Sequence, residues 1–575
     1  MNPTSTVPAD KRRIHETRLL NGALYVLAGL LIIAFSWQSR AGINPDGISY
    51  LDVCREILKG DHGAYFNPYW SPLFPALLAV VMKLSSPAPA SILLLAHGVV
   101  AFSALAGLAA FVFFVMEWSH LLSRSRTCPT DQTGDFSRIA FGLALFLAAI
   151  IKFISTDILT PDTLVMTVVF AVAGLSCRLA NRRGSTPSAI CLGLLLAIGY
   201  LTKAALFPLG MLLIALLMLA WFRNRALMTR MIVASLVFLA LTTPYIAELS
   251  ERQHEITFGE SAKLNYAWLV LQNSPAFAGW THGLAISGTP AHPLVVLDTN
   301  PTVFEFENTA PGTLPVWYDP VYFYRGLKAP FDLRLQLKQL LRAPAQALRG
   351  TGKITLVVLF VLIFLAALAR KQQLRSLKLA APWLIAWGLG AYLMFGLVEL
   401  LPRFVAPFFV ILVLVGIDEL FTRLPEGSVR LASLALFVGA LSLISGLVFS
   451  RTLRRTVSAE SDGRAQQQLA DDLKRDGVLP NDKIAILGEP FNVYFAFEDQ
   501  LQVVATIGFR GGGLHNDANS FWTMDAKSQR ALEDRLAGLG VNAIVSSSAC
   551  DPAAGPGWRD VGGHHDCALI LKHDR

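Results

Sequence analysis

A few charged residues interrupt long apolar stretches of this chain, and their types suit one kind of chemistry. Asp46 lies in Asn44-Pro45-Asp46-Gly47-Ile48-Ser49-Tyr50, while Asp157 and Asp162 lie in Thr156-Asp157-Ile158-Leu159-Thr160-Pro161-Asp162. Lys203 is the only charge between Ser188 and Phe222, and Glu399 and Arg403 share Glu399-Leu400-Leu401-Pro402-Arg403-Phe404. A carboxylate can act as base toward an acceptor hydroxyl, and a nearby negative charge steadies an oxocarbenium-like transition state. Lysine and arginine can clamp a departing phosphate, arginine as a planar fork and lysine as a point charge. Together they would serve transfer of a group, such as a sugar, from a phosphate-linked donor. A phosphate is already a weak base, so no second acid is needed.

Each residue also has a plainer reading. Asp46 could cap a helix or shape the Pro45-Asp46-Gly47 turn. Asp162, after a proline, could cap the next helix, and Asp157 could simply be solvated. Lys203 could snorkel at a helix end, and Glu399 and Arg403, four apart, could pair only with each other. The aromatic run Trp317-Tyr318-Asp319-Pro320-Val321-Tyr322 suits sugar stacking and membrane-interface anchoring equally. His564-His565-Asp566-Cys567 has no partner cluster in the sequence and reads as a surface loop.

The chemical reading requires these residues to share one membrane surface. Of the 575 residues, 53% are hydrophobic and 16% charged, which does not suit a soluble enzyme. Apolar runs long enough to cross ~30 Å of hydrocarbon recur along the chain. About eleven spans are expected, at 19–37, 91–116, 139–155, 163–180, 188–202, 206–222, 231–247, 351–369, 379–398, 403–420 and 429–449. Ser71 to Leu84 is short and proline-bounded, and is placed on the membrane surface. A single helix over Ser188 to Phe222 would be about 52 Å long, so the chain must turn near Lys203. The net charge of +8 does not indicate nucleic acid. Its basic residues gather in alternate short loops, for example Arg124, Arg126 and Arg138, then Arg178, Arg182 and Arg183. That asymmetry puts the N-terminus in the cytoplasm, and Asp46, Asp162, Lys203, Glu399 and Arg403 all outside.

The domains follow. Residues 1–18 form a cytoplasmic tail and 19–450 a membrane domain with outer loops 38–90 and 248–350. Residues 456–575 form a small extracytoplasmic α/β domain, with strand-like runs at Lys483–Leu487, Gln502–Ile507, Asn542–Ser546 and Ala568–Leu571. The second loop ends in Phe331 to Arg349, where Arg334, Lys338 and Arg342 recur at i, i+4, i+8 beside leucines, an interfacial helix. Cys550 and Cys567 flank a Pro/Gly-rich loop in the outer domain, as a disulfide or as two free thiols.

Asp46 with Tyr50, followed by Trp70-Ser71-Pro72-Leu73-Phe74-Pro75-Ala76-Leu77, resembles the first outer loop of GT-C membrane glycosyltransferases. The likeness is to the family-39-like group of protein O-mannosyltransferases and aminoarabinose transferases. Thr160-Pro161-Asp162-Thr163-Leu164 is similar to that group's second acidic motif, Leu201-Thr202-Lys203 to its Leu-Thr-Lys turn, and Glu399 to Phe404 with Ala406-Pro407-Phe408 to its Arg-Tyr-x-x-Pro segment. The resemblance spans roughly residues 19–420. It implies Asp46 as catalytic base, Lys203 and Arg403 on the donor phosphate, and inversion at the anomeric carbon. It departs at Gly47, where the group often has a second charge, at Phe404 in place of tyrosine, and in the Glu399–Arg403 spacing.

The expectation is therefore a polytopic α-helical membrane protein, GT-C-like, with a small C-terminal α/β domain. It would be an inverting hexosyl or pentosyl transferase of the inner membrane, moving sugar from a polyprenyl-phosphate donor to an envelope glycan, lipid or protein. Asp46 would be catalytic, and Asp162, Lys203, Arg403, Glu399 and Tyr50 would bind substrate. The sequence indicates no cofactor, metal or nucleic-acid partner. The alternative is a transporter or flippase of lipid-linked sugars, which should carry charges near mid-membrane and broken-helix symmetry.

Overall fold

The computed structural model describes residues 9–125, 132–181, 183–271, 287–307, 309, 312–369, 379–448, 451–510, 515–516, 518–547, 550, 557–562 and 566–571. Among them, eight helices are long and apolar enough to cross a membrane. Four shorter apolar helices accompany these: Leu73–Ser85, Thr186–Thr202, Leu206–Trp221 and Pro382–Gly396. The spans differ in position within the bundle. Phe136–Ile154, Asp162–Ala180 and Pro402–Phe421 are 83%, 72% and 72% buried, whereas Leu19–Gln38 is 22% buried. The first three form the centre of the bundle, and the last lies on its rim.

The site depends on where these helices stop. Thr186–Thr202 ends at Lys203, whose backbone is extended (φ −155°), and the chain re-enters a helix at Leu206 through Leu206 N–H donating to Lys203 C=O at 2.9 Å. The turn expected near Lys203 is thus present. Phe136–Ile154 finishes in a π-helical turn, Ala149–Ile154, and Ser155 follows at φ 67°. A residue with a side chain rarely adopts that backbone angle. Here it reverses the chain and presents residues 156–161 at the bundle's end. The expected interfacial helix is continuous with the next span in Leu333–Leu368, broken only at Gly352 (φ 44°, ψ −123°).

Seven strands form the sheet of the polar C-terminal region: β1 (Val295–Thr299), β2 (Thr302–Glu305), β3 (Lys483–Leu487), β4 (Gln502–Ile507), β5 (Val541–Ser546), β6 (Trp558–Val561) and β7 (Asp566–Ile570). Their order is β6-β7-β5-β3-β4-β2-β1. β3 is parallel to both neighbours, and the remaining pairs are antiparallel. Both faces of β3 are buried, as a central parallel strand requires. Ile484 and Ile486 pack with Leu469 and Leu473 of Arg451–Arg475, and Ala485 and Leu487 with Leu532 and Leu536 of Ala526–Gly538. β1 and β2 come from the second outer loop, so that loop and the C-terminal region share one sheet. The two strands are short, and only Val303 and Phe304 of them are buried, so no alternating pattern strong enough to foretell this is present. Cys550 and Cys567 are joined as a disulfide, with Cα atoms 5.0 Å apart. His564 and His565 lie outside the described residues.

The sheet domain rests on the first outer loop. Tyr494 and Phe497 join a core with Ile48, Leu51 and Val53 of the helix Pro45–Lys59. Asp52 of that helix is 2% exposed and accepts a hydrogen bond from Thr313 Oγ1, while Arg55 donates to Phe497 C=O. Burial pushes the Asp52 carboxyl up to about 7, against the pull of Arg55.

Candidate active site

Asp46 opens the helix Pro45–Lys59, but it does not cap it. Asn44 holds the cap position and uses its side chain elsewhere: Oδ1 accepts from Leu159 N–H at 2.8 Å, tying the helix start to the 156–161 loop. Gly47 makes that junction possible. A Cβ there would lie 2.7 Å from Leu159 Cβ and 2.9 Å from Asn44 Oδ1. The position that departs from the family pattern therefore has no room for a side chain.

Asp46 Oδ2 accepts from Arg403 Nη2 at 3.1 Å. Arg403 Nε lies 3.9 Å from Asp162 Oδ2, and Lys203 Nζ donates to Asp162 Oδ1 at 2.7 Å. Two carboxylates and two cations from four separate segments thus form one chain, Asp46–Arg403–Asp162–Lys203. Asp162 is the first residue of its helix, yet no side-chain cap bond forms there; Thr160 Oγ1 donates to its other oxygen at 3.0 Å. Asp162 is 2% exposed, whereas Asp46, Lys203 and Arg403 retain 19–24% of their side-chain surface. Asp162 is therefore the fixed anchor of the set, and Asp46 the carboxylate open to a ligand. Burial holds the Lys203 ammonium below the usual lysine range, although Asp162 pulls the other way.

These groups line a cavity of about 410 Å³ together with Tyr50, Glu399 and Trp317. Arg403 has its close ion pairs with Asp46 and Asp162 rather than with Glu399, so the simple i,i+4 reading does not describe it. Burial raises the Glu399 carboxyl above its ordinary range, partly offset by Arg403. Tyr50 is buried edge-on against Trp70 and Phe74, with ring centroids 5.0 and 5.2 Å away. Asp157, expected to be solvated, is instead 4% exposed and bonded by Ser155 Oγ. The tight turn after the π-helical segment draws it inward, and it does not line the cavity.

Several lining residues carried no clear signal in the sequence. Phe404 lies beneath Lys203 Nζ at 3.9 Å and beside the Arg403 guanidinium at 5.1 Å, so its ring steadies both cations. The phenylalanine that replaces the family's tyrosine thus has a place of its own. Tyr69, Trp70 and Trp317 form an aromatic wall, with Trp268 stacked on Trp317 at 5.8 Å. Trp317 belongs to the aromatic run whose role the sequence left open. Asn265, also lining the cavity, had nothing to mark it. Among the described residues there is no cluster of His, Cys, Asp and Glu that could hold a metal ion.

A bundle of apolar helices thus carries, at one end, two carboxylates and two cations beside a small α/β domain. The chain superposes on ArnT from Cupriavidus metallidurans bound to undecaprenyl phosphate, with a TM-score of 0.51 and 14% identity over 95% of this chain and 97% of that one. For apo ArnT the TM-score is 0.50 at the same identity and coverage. The apo oligosaccharyltransferase of Archaeoglobus fulgidus gives 0.49 and 14% identity over 92% of this chain and 69% of that one. No family model and no curated protein matches the chain. The chain has the fold of ArnT.

Proposed function

We propose that the chain is an inverting glycosyltransferase that takes a sugar from a polyprenyl-phosphate donor and passes it to an envelope acceptor. The observation that carries this reading is the convergence of Asp46, Arg403, Asp162 and Lys203 on one cavity. ArnT, which shares the fold, has been seen with undecaprenyl phosphate, and this supports a donor of that chemical class. In this reading the three shorter helices Thr186–Thr202, Leu206–Trp221 and Pro382–Gly396 cross the membrane too, giving eleven spans and an outer-facing cavity.

With the cavity empty, the two carboxylates balance the two cations. A donor phosphate adds a negative charge, and the more exposed, singly bonded Asp46 is the partner it displaces from Arg403. Lys203 and Arg403 then hold the phosphate, with Asp162 fixing both. Freed from its cation, Asp46 takes the proton of the acceptor hydroxyl as that oxygen bonds to the anomeric carbon. The bond from the anomeric carbon to the phosphate oxygen breaks, and the electron pair leaves with the phosphate. Attack opposite the leaving group inverts the centre. The aromatic wall of Tyr69, Trp70 and Trp317 suits stacking against a sugar ring.

The test is transfer of labelled sugar from a panel of polyprenyl-phosphate and -diphosphate sugars by the purified full chain. The panel would also reveal which sugar is carried. Transport of an intact lipid-linked sugar across vesicles, with no bond broken, would favour the flippase reading instead.

A further inference from the structure

A second polar cavity, of about 390 Å³, lies at the opposite end of the bundle. Asp418, on its wall, is fifteen residues beyond Arg403 on the helix Pro402–Phe421, hence roughly 22 Å away along the axis. Arg138, only 8% exposed, lines the cavity and donates from Nε to Asp418 Oδ1. Trp118 Nε1 donates to the other Asp418 oxygen at 2.7 Å. Both oxygens of the buried carboxylate are thus engaged, and its charge is met by the guanidinium. The rest of the polar lining is Ser119, His120, Tyr25, Asn21 and Ser123, the last donating to His120 C=O at 3.0 Å. The Asn21 side-chain oxygen is buried without a hydrogen-bond partner, and rotation of the amide would present its NH₂ there instead. In the sequence, Arg124 and Arg126 follow directly. The other wall is apolar, formed by Phe111, Val115, Met116 and Leu414, of which Met116 is exposed at the surface of the bundle.

We infer that this cavity binds the phosphate headgroup of a lipid in the leaflet opposite the candidate active site. A soluble anion would have no use for the apolar wall, whereas a lipid places its phosphate among the donors and its first chain carbons against Phe111 and Leu414. A glycerophospholipid and a polyprenyl phosphate share this chemistry. Occupancy would brace the helices Ala9–Gln38, Ile92–Ser125, Gln132–Ala148 and Pro402–Phe421 against one another. The last of these also carries Arg403.

The test uses native mass spectrometry of the full chain in detergent, titrated with phosphatidylglycerol, a long-chain polyprenyl phosphate, or diacylglycerol. It is run in an Arg403→Ala background so that the donor cavity contributes little. The two phosphate lipids, or one of them, should be retained and diacylglycerol should not. Retention of phosphatidylglycerol would mark a membrane phospholipid, and of polyprenyl phosphate alone a carrier lipid. Arg138 is tied to Asp418, and its removal could unfold the bundle. The probing variant is therefore Ser119→Asp with Ser123→Asp at the exposed mouth, where two added carboxylates should weaken retention by about tenfold. Undiminished retention in that variant, or diacylglycerol held as firmly as the phosphate lipids, would overturn the assignment.

Discussion

Replacing Asp46 with asparagine should lower turnover and, at the same time, tighten donor binding. Asp46 holds Arg403 through one hydrogen bond of 3.1 Å, and on the proposed mechanism it competes there with the incoming phosphate. At that separation and an effective dielectric near 20 the attraction is about 5 kcal/mol before solvation is counted. Both side chains keep 19–24% of their surface, so water and the cost of ordering reduce the net to roughly 1 kcal/mol. Asparagine keeps the shape and loses the charge, so the donor no longer has that contact to break. Its affinity should rise by about fivefold. Turnover should fall by a factor of about 10² to 10⁴, the usual contribution of a positioned base. Affinity is measured by titrating a non-transferable polyprenyl phosphate into the purified variant, and turnover by single-cycle transfer of labelled sugar. A residue that merely supports the cavity would lose both quantities together. Turnover within a few-fold of the parent would remove Asp46 as the base, and weaker donor binding would refute the competition for Arg403.

The other expectations follow from neighbouring contacts. Arg403→Ala should weaken donor binding by at least tenfold, since it removes a charge-assisted contact and leaves Asp162 with Lys203 alone; titration with the same phosphate lipid checks this. Gly47→Ala should cut activity well beyond what one methyl group suggests, because its Cβ would press on Leu159 and Asn44 and move the start of the Asp46 helix; transfer rate relative to a Ser49→Ala control reports it. Asp52 gives a pH signature. Its folded carboxyl titrates near 7 against an ordinary 3.8, so the folded chain keeps a proton that the unfolded chain loses between about pH 4 and 7. Stability should therefore fall as pH rises through that window and then level off. Asp52→Asn should abolish this fall and raise Tm more at pH 8 than at pH 5; equal gains at both would refute the buried charge.

The sequence made the candidate site legible for a physical reason. Charges are so costly beside hydrocarbon that Lys203, Asp162 and Arg403 stood out singly against apolar runs, and loop charges placed them on one side. Their pairing was not legible. Glu399 and Arg403, four apart, suggested a local pair, but Pro402 starts a new helix between them and Arg403 reaches Asp46 and Asp162 instead. Asp157 misled for a similar reason, because the reversal at Ser155 turns it inward. The aromatic wall was half visible: Trp70 and Trp317 were marked by their motifs, while Tyr69 carried no signal of its own, and neither did Asn265 on the cavity lining. The sheet was readable where its strands are buried on both faces, at Lys483–Leu487 and Gln502–Ile507. It was unreadable at Val295–Thr299 and Thr302–Glu305, a short hairpin at one edge that joins the sheet only through Thr302–Glu305, whose partner Gln502–Ile507 lies some two hundred residues away in the chain.

That long-range pairing bears on how the site is assembled. The second outer loop supplies Trp317 to the cavity, two strands to the sheet, and Thr313 to the buried Asp52. Trp70 Nε1 donates to Tyr318 C=O at 3.0 Å, fastening the first loop to the second beside the cavity. The helix that begins with Asp46 is thus held at one end by Leu159 and, two turns further on, by Thr313 and the carbonyl of Phe497. A base that must release one cation and meet an acceptor hydroxyl within a few tenths of an ångström needs such a support. The sheet domain, through Phe497 and Tyr494, supplies the far end of it. On this reasoning its contribution is to fix the angle of the Asp46 helix rather than to carry a second chemistry.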